Sequence, residues 1–346
     1  MNTIVDIIRK KPFLEYSAAK KPRYDITQSL KEVGFVDYEV NYDLNHKSYF
    51  KRMLYFLRNI NNVRQQISKD LKKGKSHKID TLILQYPAYV PFRSFWSKKL
   101  KRILNADRVA LVIHDIESLR NESEISQEEI KNLNAASEIV VHTKSMKDYL
   151  EKHGVLRPMK ILSLFDYRID SSQDFPENNF LSNTVVFAGN LKKSAFLDKL
   201  NELPSDIEFY LYGSSDDKEW PSNLKYKGKF HPNNIEDIEG FWGLVWDGDS
   251  IEGCTGDLGE YLKYNSPHKA SLYIASGKPV IVWDQSAITP FILENKLGIS
   301  VSSLKEIPQK IKYLSQAELD ELKNSVKKWG GKLRNGEMIK EVIALR

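Results

Sequence analysis

A glycine-rich segment that runs into the tetrapeptide Ser266-Pro267-His268-Lys269 carries the clearest chemistry in this sequence. Serine is a favoured N-cap and proline a favoured first helical residue, so the pattern predicts a helix over Pro267–Ala275 that Ser266 caps. The start of a helix leaves N–H groups free and presents the positive end of the helix dipole. With Lys269 in the first turn, these groups favour a diphosphate, although an ordinary capped helix with a surface lysine fits the same residues.

A second basic turn follows an apolar run in the stretch FAGNLKK, which contains Gly189, Asn190 and Lys193. A glycine at the end of a strand permits close approach to the backbone, and the lysines follow where a helix should start. Alone, this turn is a weak signal. Together with Lys269 it predicts two cations at neighbouring strand ends that face one cleft.

Three titratable side chains follow another apolar run, in the first half of the chain: His114, Asp115 and Glu117. A carboxylate beside a histidine at a strand end can serve as a general base. A helix-capping aspartate next to a hydrogen-bonded histidine fits the same residues equally well. The sequence leaves both interpretations open.

Several common fingerprints are missing from the sequence. No G-x-G-x-x-G follows the first strand, and neither G-x-S-x-G nor H-E-x-x-H occurs. The acidic loop at 247–252 does not fit the calcium-loop pattern. The single cysteine, Cys254, excludes an intrachain disulfide framework and a multi-cysteine metal site. We therefore expect no protein-caged metal and no cofactor, and we expect Cys254 to lie in a mobile loop without a chemical role.

Short β-branched or aromatic runs alternate with helical patterns, which predicts βαβ units and parallel sheets. The polar, aperiodic segment 165–182 interrupts this rhythm and is predicted to be a linker. The fold class is therefore α/β, with two similar halves that face a cleft. Predicted strands are Thr3–Ile8, Phe35–Val40, Thr81–Gln85, Val109–His114, Glu138–His142, Thr184–Ala188, Ile207–Tyr212, Gly243–Trp246 and Pro279–Trp283. Predicted helices are one that Asp25 caps and that continues through Glu32, amphipathic stretches at 46–73 and 92–104, and segments at 126–134, 144–153, 289–295 and 335–346.

Charge is unevenly distributed along the chain. The 346 residues have a net charge of +6, yet residues 1–110 hold 23 Lys and Arg against 10 Asp and Glu, while the remainder holds 29 against 36. A basic half favours an anionic partner, although a solvated basic surface fits as well. The 92–104 helix places Phe95 and Trp96 beside Lys98 and Arg102, so it can rest on anionic lipid, but a helix between two strands of a sheet would bury that aromatic face. Cations and aromatic residues show no interleaved pattern, which argues against nucleic acid.

Localisation follows from two simple observations. No run approaches the ~18 apolar residues of a membrane-spanning helix. The first residues, MNTIVDIIRKK, place their basic residues after the apolar run, which is the wrong order for a signal peptide. We expect a cytoplasmic protein, with peripheral contact at the inner membrane face as an open possibility.

Three blocks of the sequence resemble a known family. The stretch GLVWDGDSIEGCTGDLGEYLKYNSPHKASLYIASGKPVIVW is similar to the signature region of bacterial β-1,6-galactofuranosyltransferase-like proteins, which are related to the third glucosyltransferase of streptococcal adhesin glycosylation. The segments VVFAGNLKKSAFL and LVIHDIESLR resemble the two other shared blocks. This resemblance implies a GT-B fold with domains at 1–165 and 183–331, a helix at 332–346 that crosses back to the first domain, and a UDP-sugar as donor substrate.

The resemblance also implies roles for individual residues. The diphosphate would be bound by Lys269 and Lys193, and the turn beside it would be formed by Gly189 and Asn190. The strand ends that flank the base would include Tyr212 and Phe230, and the acceptor side would be lined by His114 and Asp115. Residues near the helix start that complete the predicted donor site are Ser266, His268 and Tyr264, although buried packing explains Tyr264 equally well.

These implications give a mechanistic hypothesis with alternatives. The predicted enzyme is an inverting, metal-independent galactofuranosyltransferase of cell-surface or exopolysaccharide synthesis, with Asp115 as base, His114 second and Glu117 third. The acceptor would be a glycan or lipid-linked glycan, and homo-oligomerisation stays open. Alternatives are a glucosyl- or galactosyltransferase on a glycoprotein or oligosaccharide, an epimerase that needs no acceptor, and a non-catalytic partner of another glycosyltransferase.

Overall fold

A computed structural model gives the architecture, and it describes residues 1–9, 20–42, 48–88, 90, 95–122, 124–169, 182–204, 206–215 and 219–344. The first half contains β1 (Thr3–Arg9), α1 (Lys21–Glu32), β2 (Val36–Tyr42), α2 (Tyr49–Lys73), β3 (Ile79–Tyr86), α3 (Trp96–Ile103), β4 (Ala106–Ile113), α4 (Glu117–Glu122), α5 (Gln127–Asn134), β5 (Glu138–Val141), α6 (Lys144–Lys152) and β6 (Met159–Ile161). The second half contains β7 (Thr184–Gly189), β8 (Glu208–Gly213), β9 (Leu224–Gly228), β10 (Trp242–Val245), α7 (Gly256–Tyr261), α8 (His268–Ala275), β11 (Val280–Trp283), α9 (Thr289–Glu294), β12 (Gly298–Val301), α10 (Ile307–Lys312), α11 (Gln316–Arg334) and α12 (Glu337–Ala344). Strands and helices alternate over most of the first half, whereas β7 to β10 of the second half follow one another without an intervening α-helix among the described residues.

Two parallel sheets organise these elements, and the predicted two-domain α/β fold is confirmed. The first sheet has the strand order β2-β1-β3-β4-β5-β6, and the second has the order β12-β11-β10-β7-β8-β9. Strand order reverses between β1 and β3 in the first sheet and between β7 and β10 in the second. Ligands of open α/β sheets bind beyond the carboxyl ends of the strands at such switch points. The fold therefore marks the ends of β7 and β10 as one place to look for a ligand.

The last helix returns to the first domain. Helix α12 packs against α1, and the Lys340 ammonium contacts the Glu32 carboxylate. The start of α12 is held by Asp166, whose two carboxylate oxygens accept the N–H groups of Met338 and Ile339 at 2.9 and 3.1 Å. Burial raises the pKa of Asp166 to about 7. These contacts join the last helix to Asp166, in the segment where the chain leaves the first domain.

Several expectations about local structure are wrong, and packing explains why. Asp25 does not cap a helix: α1 starts at Lys21, and Asp25 is a fully buried residue inside it. The predicted linker begins as core, since Phe165 and Tyr167 are buried. Residues 170–181 of that segment lie outside the described residues. Cys254 is also a core residue, and the loop around it is held by the N–H of Leu304, which donates to the Ile251 carbonyl at 2.7 Å.

The 92–104 stretch is shorter as a helix than the periodicity predicts. Helix α3 begins at Trp96, which is buried, while Phe95 precedes the helix with a positive φ and is about half exposed. Residues 92–94 lie outside the described residues. Three short strands, β6, β9 and β12, were not predicted, because their few apolar residues carry no clear period. Among the described helices, none combines the length and apolarity needed to cross a bilayer.

Candidate active site

The carboxyl ends of β7 and β10 bring together two residues that lie 80 positions apart, Gly189 and Lys269. Gly189 is the last residue of β7, and Lys269 lies in the first turn of α8, which follows β10. A Cβ on Gly189 would lie 4.0 Å from Cδ of Lys269. The absent side chain therefore leaves backbone open beside a lysine, at the switch point of the sheet.

The Lys269 ammonium is held at the end of β10. It donates to the Trp246 carbonyl at 3.0 Å and to Oδ1 of Asp247 at 2.9 Å, and it lies 4.7 Å from the centre of the Phe187 ring. Its side chain is mostly buried, with 18% exposed. The cation is thus placed by three groups around the strand end, and an anion that enters the switch point would meet it there.

The start of α8 differs from the predicted one. The N-cap is Pro267, at φ −64°, and among the described residues no side chain caps the helix. Ser266 lies one residue earlier, where its buried hydroxyl has no hydrogen-bond partner within the described part of the chain. The N–H groups of His268 and Lys269 belong to the first turn and have no intrahelical acceptor. The predicted positive helix end is therefore present, but the predicted serine cap is wrong.

The ring of His268 packs against residues 165–167, where the chain leaves the first domain. It stacks on Tyr167 at 5.0 Å between ring centres and lies edge-on to Phe165 at 6.0 Å. Burial lowers the pKa of His268 to about 3, so the ring is neutral at physiological pH. The His268 ring therefore adds no positive charge to the start of α8.

In the turn after β7, the side chains take only part of the arrangement that the sequence predicts. Oδ1 of Asn190 accepts the N–H of Lys192 at 3.2 Å, so Asn190 caps the short 3-10 helix Leu191–Lys193. Lys193 ends that helix and is exposed. The structure thus places Lys193 at the surface, four residues after Gly189.

Tyr212 and Phe230 lie together at the end of β8. Their rings meet edge to face with 5.7 Å between the centres. The Tyr212 hydroxyl donates to the Asp237 carbonyl at 3.1 Å and accepts the N–H of Glu239 at 2.9 Å, and burial raises its pKa to about 12. Tyr212 thus holds the loop that follows β9, while the partly buried Phe230 is the more accessible of the two rings.

In the first domain, His114 is the residue immediately after β4. Its Nε2–H donates to Oε1 of Gln85 at 2.7 Å, and the Gln85 amide donates in turn to the Arg23 carbonyl at 3.1 Å. The ring stacks on Phe165 at 5.5 Å. Burial lowers the pKa of His114 well below its ordinary value. The histidine is therefore a fixed, neutral hydrogen-bond donor and a weak base.

Asp115 and Glu117 have different surroundings. Asp115 pairs with Arg120 at 3.1 Å, and 34% of its side chain is exposed. Burial raises the pKa of Asp115, and Arg120 opposes that shift. Glu117 is exposed at the start of α4, where it lines a cavity of about 470 Å³ together with Trp96 and the buried Glu129. The raised pKa of Asp115 suits a general base.

The segment 261–266 joins the two domains just before α8. The N–H of Ile116 donates to the Tyr261 hydroxyl at 2.9 Å. The Thr143 hydroxyl donates to the Tyr264 carbonyl at 2.6 Å, and the Tyr264 ring packs against Tyr149 at 4.8 Å. Tyr264 therefore contacts the first domain, which agrees with its alternative interpretation as a packing residue.

Two features of this junction were missed in the sequence. His142 follows β5 as His114 follows β4, and its Nδ1 accepts the N–H of Ser266 at 3.2 Å. Lys21 is buried and donates to Asp25 at 3.1 Å and to Oδ1 of Asn233 in the second domain at 3.0 Å. The repeated histidine at a strand end was a usable signal for the first, but the second depends on domain packing that the sequence does not show.

Within the described residues, no group of three or more His, Cys, Asp or Glu side chains is arranged to hold a metal ion.

Solved structures with the same architecture establish the fold class. Sucrose-phosphate synthase from Thermosynechococcus elongatus superposes with a TM-score of 0.66 at 12% identity, over 99% of this chain and 98% of that chain. Anabaena HepE, solved in complex with UDP, superposes with a TM-score of 0.60 at 12% identity over the same shares of the two chains. Two Rossmann-like domains joined across one cleft are the architecture of the GT-B glycosyltransferases, and this chain has that fold.

Sequence relatives then give the family. Residues 4–164 match the glucosyltransferase 3-like N-terminal domain, and residues 185–345 match the glucosyltransferase 3-like C-terminal domain. The β-1,6-galactofuranosyltransferase WbbI of Escherichia coli K12 is 31% identical over 272 residues, which is 76% of this chain and 78% of that protein. The chain belongs to the glucosyltransferase 3-like family and is a glycosyltransferase.

Proposed function

We propose that the chain is an inverting, metal-independent galactofuranosyltransferase that uses a UDP-sugar in cell-surface or exopolysaccharide synthesis. The observation that carries the proposal is the contact between Gly189 and Lys269 at the switch point between β7 and β10. Open backbone, a lysine and the positive end of α8 converge there, and together they suit a diphosphate. The UDP in the HepE structure and the name of the WbbI relative agree with this donor class.

The charges at this site would serve the leaving group. In the structure, the Lys269 ammonium forms an ion pair with the Asp247 carboxylate. A diphosphate that enters would take over part of this ion pair and would draw Lys193 inward. As the bond between the sugar and the diphosphate breaks, negative charge grows on the departing UDP, and two cations and the N–H groups of α8 would stabilise it. This set of donors can perform the role that a metal ion performs elsewhere.

The acceptor step needs a base on the other side of the cleft. In a single displacement, the acceptor hydroxyl forms a bond to the anomeric carbon as the bond to UDP breaks, and the hydroxyl proton passes to the base. We assign this role to Asp115, whose pKa is raised and whose side chain is partly exposed. His114 would orient the acceptor through its fixed ring. The acceptor itself would be a glycan or a lipid-linked glycan.

A donor screen tests the proposal. The purified chain is incubated with UDP-galactofuranose, UDP-galactose or UDP-glucose and a panel of sugar acceptors in the presence of EDTA, and UDP release and product linkage are measured. We expect acceptor-dependent release of UDP from UDP-galactofuranose, with a β-linked product. Preferential turnover of UDP-glucose or UDP-galactose would favour the glucosyl or galactosyl alternative, and no turnover with any donor would favour a non-catalytic partner.

A further inference from the structure

Helix α2 presents large apolar side chains to solvent at its beginning. Phe50, Leu54 and Leu57 are 68%, 50% and 42% exposed. At 100° per residue these three positions lie within an arc of about 60°, so they form one stripe along the first turns. The buried face of the same helix is a different one, formed by Phe56, Ile60, Val63, Ile67 and Leu71. Burial in the domain core therefore does not account for the stripe.

The layer of helices that carries this stripe is strongly basic. Helix α2 contains seven Lys and Arg and one Asp, and α3 contains four Lys and Arg and no acidic residue. Both helices cover the same face of the first sheet, because Phe56 of α2 and Leu100 of α3 belong to one core. Beside α3, a groove of about 830 Å³ is lined by Lys98, Lys101 and Arg102 among other cations, and the described residues of its wall include no carboxylate.

We infer that this outer face of the first domain, the α2–α3 face, docks on an anionic lipid bilayer. A stripe of apolar side chains flanked by Lys and Arg is the composition of a helix that lies in the membrane interface. Apolar side chains enter the boundary between headgroups and acyl chains, while the cations contact anionic headgroups. The α2–α3 face meets both requirements within one layer of helices.

A second copy of the chain fits this face less well. An isologous contact would bring the exposed cations of α2 and α3 close to those of the second copy, and like charges that face each other destabilise an interface. A bilayer with anionic lipid offers the opposite charge and an apolar interior to the same surface.

Docking on this face would also fix the direction of the active site. In a parallel βαβ unit the helix begins near the carboxyl end of the preceding strand, so the exposed stripe lies towards the edge of the first sheet that faces the cleft. The acceptor side would then lie beside the bilayer. This extends the proposed function to a lipid-linked acceptor, but the docking itself does not depend on the donor assignment.

Vesicle binding tests the inference. The full chain is sedimented with vesicles of phosphatidylcholine alone and of phosphatidylcholine mixed with phosphatidylglycerol. We expect binding at least about tenfold tighter to the anionic vesicles, and a loss of about tenfold or more in the triple variant Phe50→Ser, Leu54→Ser, Leu57→Ser. The matched control changes three exposed apolar residues elsewhere: Val33→Ser, Leu156→Ser, Tyr313→Ser.

A second variant tests the electrostatic half separately. The substitutions Lys98→Gln, Lys101→Gln and Arg102→Gln should abolish the preference for anionic vesicles, whereas Lys305→Gln, Lys310→Gln and Lys327→Gln should leave it unchanged. UDP affinity should be unchanged in both triple variants of the α2–α3 face, which separates this inference from the donor site. Failure of the wild-type chain to bind anionic vesicles, or wild-type binding by the serine variant, would overturn the inference. Dissociation of a dimer by the serine variant would overturn it as well, in favour of a second copy.

Discussion

The N–H of Ser266 donates to Nδ1 of His142 across the domain junction at 3.2 Å. His142 follows β5 of the first domain, and Ser266 lies three residues before Lys269. The other ring nitrogen donates to the Ile113 carbonyl at 3.0 Å, which fixes the tautomer. The first domain thus holds the chain that leads into α8, so the position of the helix start depends on the contact between the domains.

Replacement of His142 by phenylalanine should weaken UDP binding. The ring volume is kept, but the N–H of Ser266 loses its acceptor in a buried position, which costs about 1–3 kcal/mol. If this cost is relieved by movement of the segment before α8, UDP affinity falls by about tenfold, as calorimetry would detect. His142→Asn, which retains an acceptor, should recover part of the affinity, and His77→Phe on the exposed surface is the control. Wild-type affinity in His142→Phe would show that this contact does not position the donor site.

The same histidine predicts a pH dependence of stability. Burial lowers the pKa of His142 to about 4, below its ordinary value, because the charged ring is poorly solvated. As the pH falls, His142 takes up a proton in the unfolded chain before it does so in the folded chain. The contribution of the neutral ring to stability is therefore complete above about pH 6.5 and is lost as the pH falls towards about 4. The loss amounts to at most about 3 kcal/mol. Urea unfolding across this range should show a smaller decrease in the free energy of unfolding for His142→Asn than for the wild type. An equal decrease in both proteins would exclude His142 as the source of the pH dependence.

Gly189→Ala separates folding from binding at the switch point. The new Cβ would lie 3.6 Å from Cζ of Phe187 and 4.0 Å from Cδ of Lys269, which are ordinary contacts, so the free energy of unfolding should change little. The methyl group would, however, occupy the approach to the backbone and should weaken UDP binding by about tenfold or more. Gly331→Ala in α11, where a Cβ meets no atom of the described residues within 4 Å, is the control. Unchanged UDP affinity in Gly189→Ala would place the diphosphate elsewhere.

Asp115→Asn tests the assignment of the base. The amide cannot take a proton, so kcat should fall by about 10²–10⁴ while UDP affinity is retained. The exposed ion pair of Asp148 with Lys144 supplies the control, Asp148→Asn, which should turn over as the wild type does. Substantial turnover by Asp115→Asn would move the assignment to His114 or Glu117.

The sequence predicts the placement of Gly189 and Lys269 because this placement depends on local order, whereas their binding of a donor stays a prediction. Strand ends, a glycine and a helix start are all local features, and they place Gly189 and Lys269 at neighbouring strand ends without knowledge of the tertiary structure. The errors occur where packing decides. Asp25 has the chemistry of a helix cap, yet its burial with Lys21 places it inside α1. Ser266 has the same chemistry, yet its N–H is used by His142 and the helix begins after Pro267.

Features of the domain junction could not be predicted from the sequence. The polarity of the segment from residue 165 predicts a linker, but Phe165 is buried among His114, His142 and His268, which come from three different parts of the chain. Glycines around Cys254 predict mobility, but Ile251 and Cys254 are buried in the core of the second domain. Such contacts join residues far apart in sequence, and the hydrophobic periodicity of the sequence does not predict them.

The most direct test of the donor site is a calorimetric titration of the wild-type chain and Lys269→Ala with UDP in the presence of EDTA. Lys296→Ala removes the same charge from an exposed ion pair with Glu321 in the same domain and is the control. We predict micromolar to sub-millimolar binding by the wild type and the control, and its loss in Lys269→Ala. Equal binding by Lys269→Ala and the wild type, or no binding by the wild type, would contradict the site at the ends of β7 and β10.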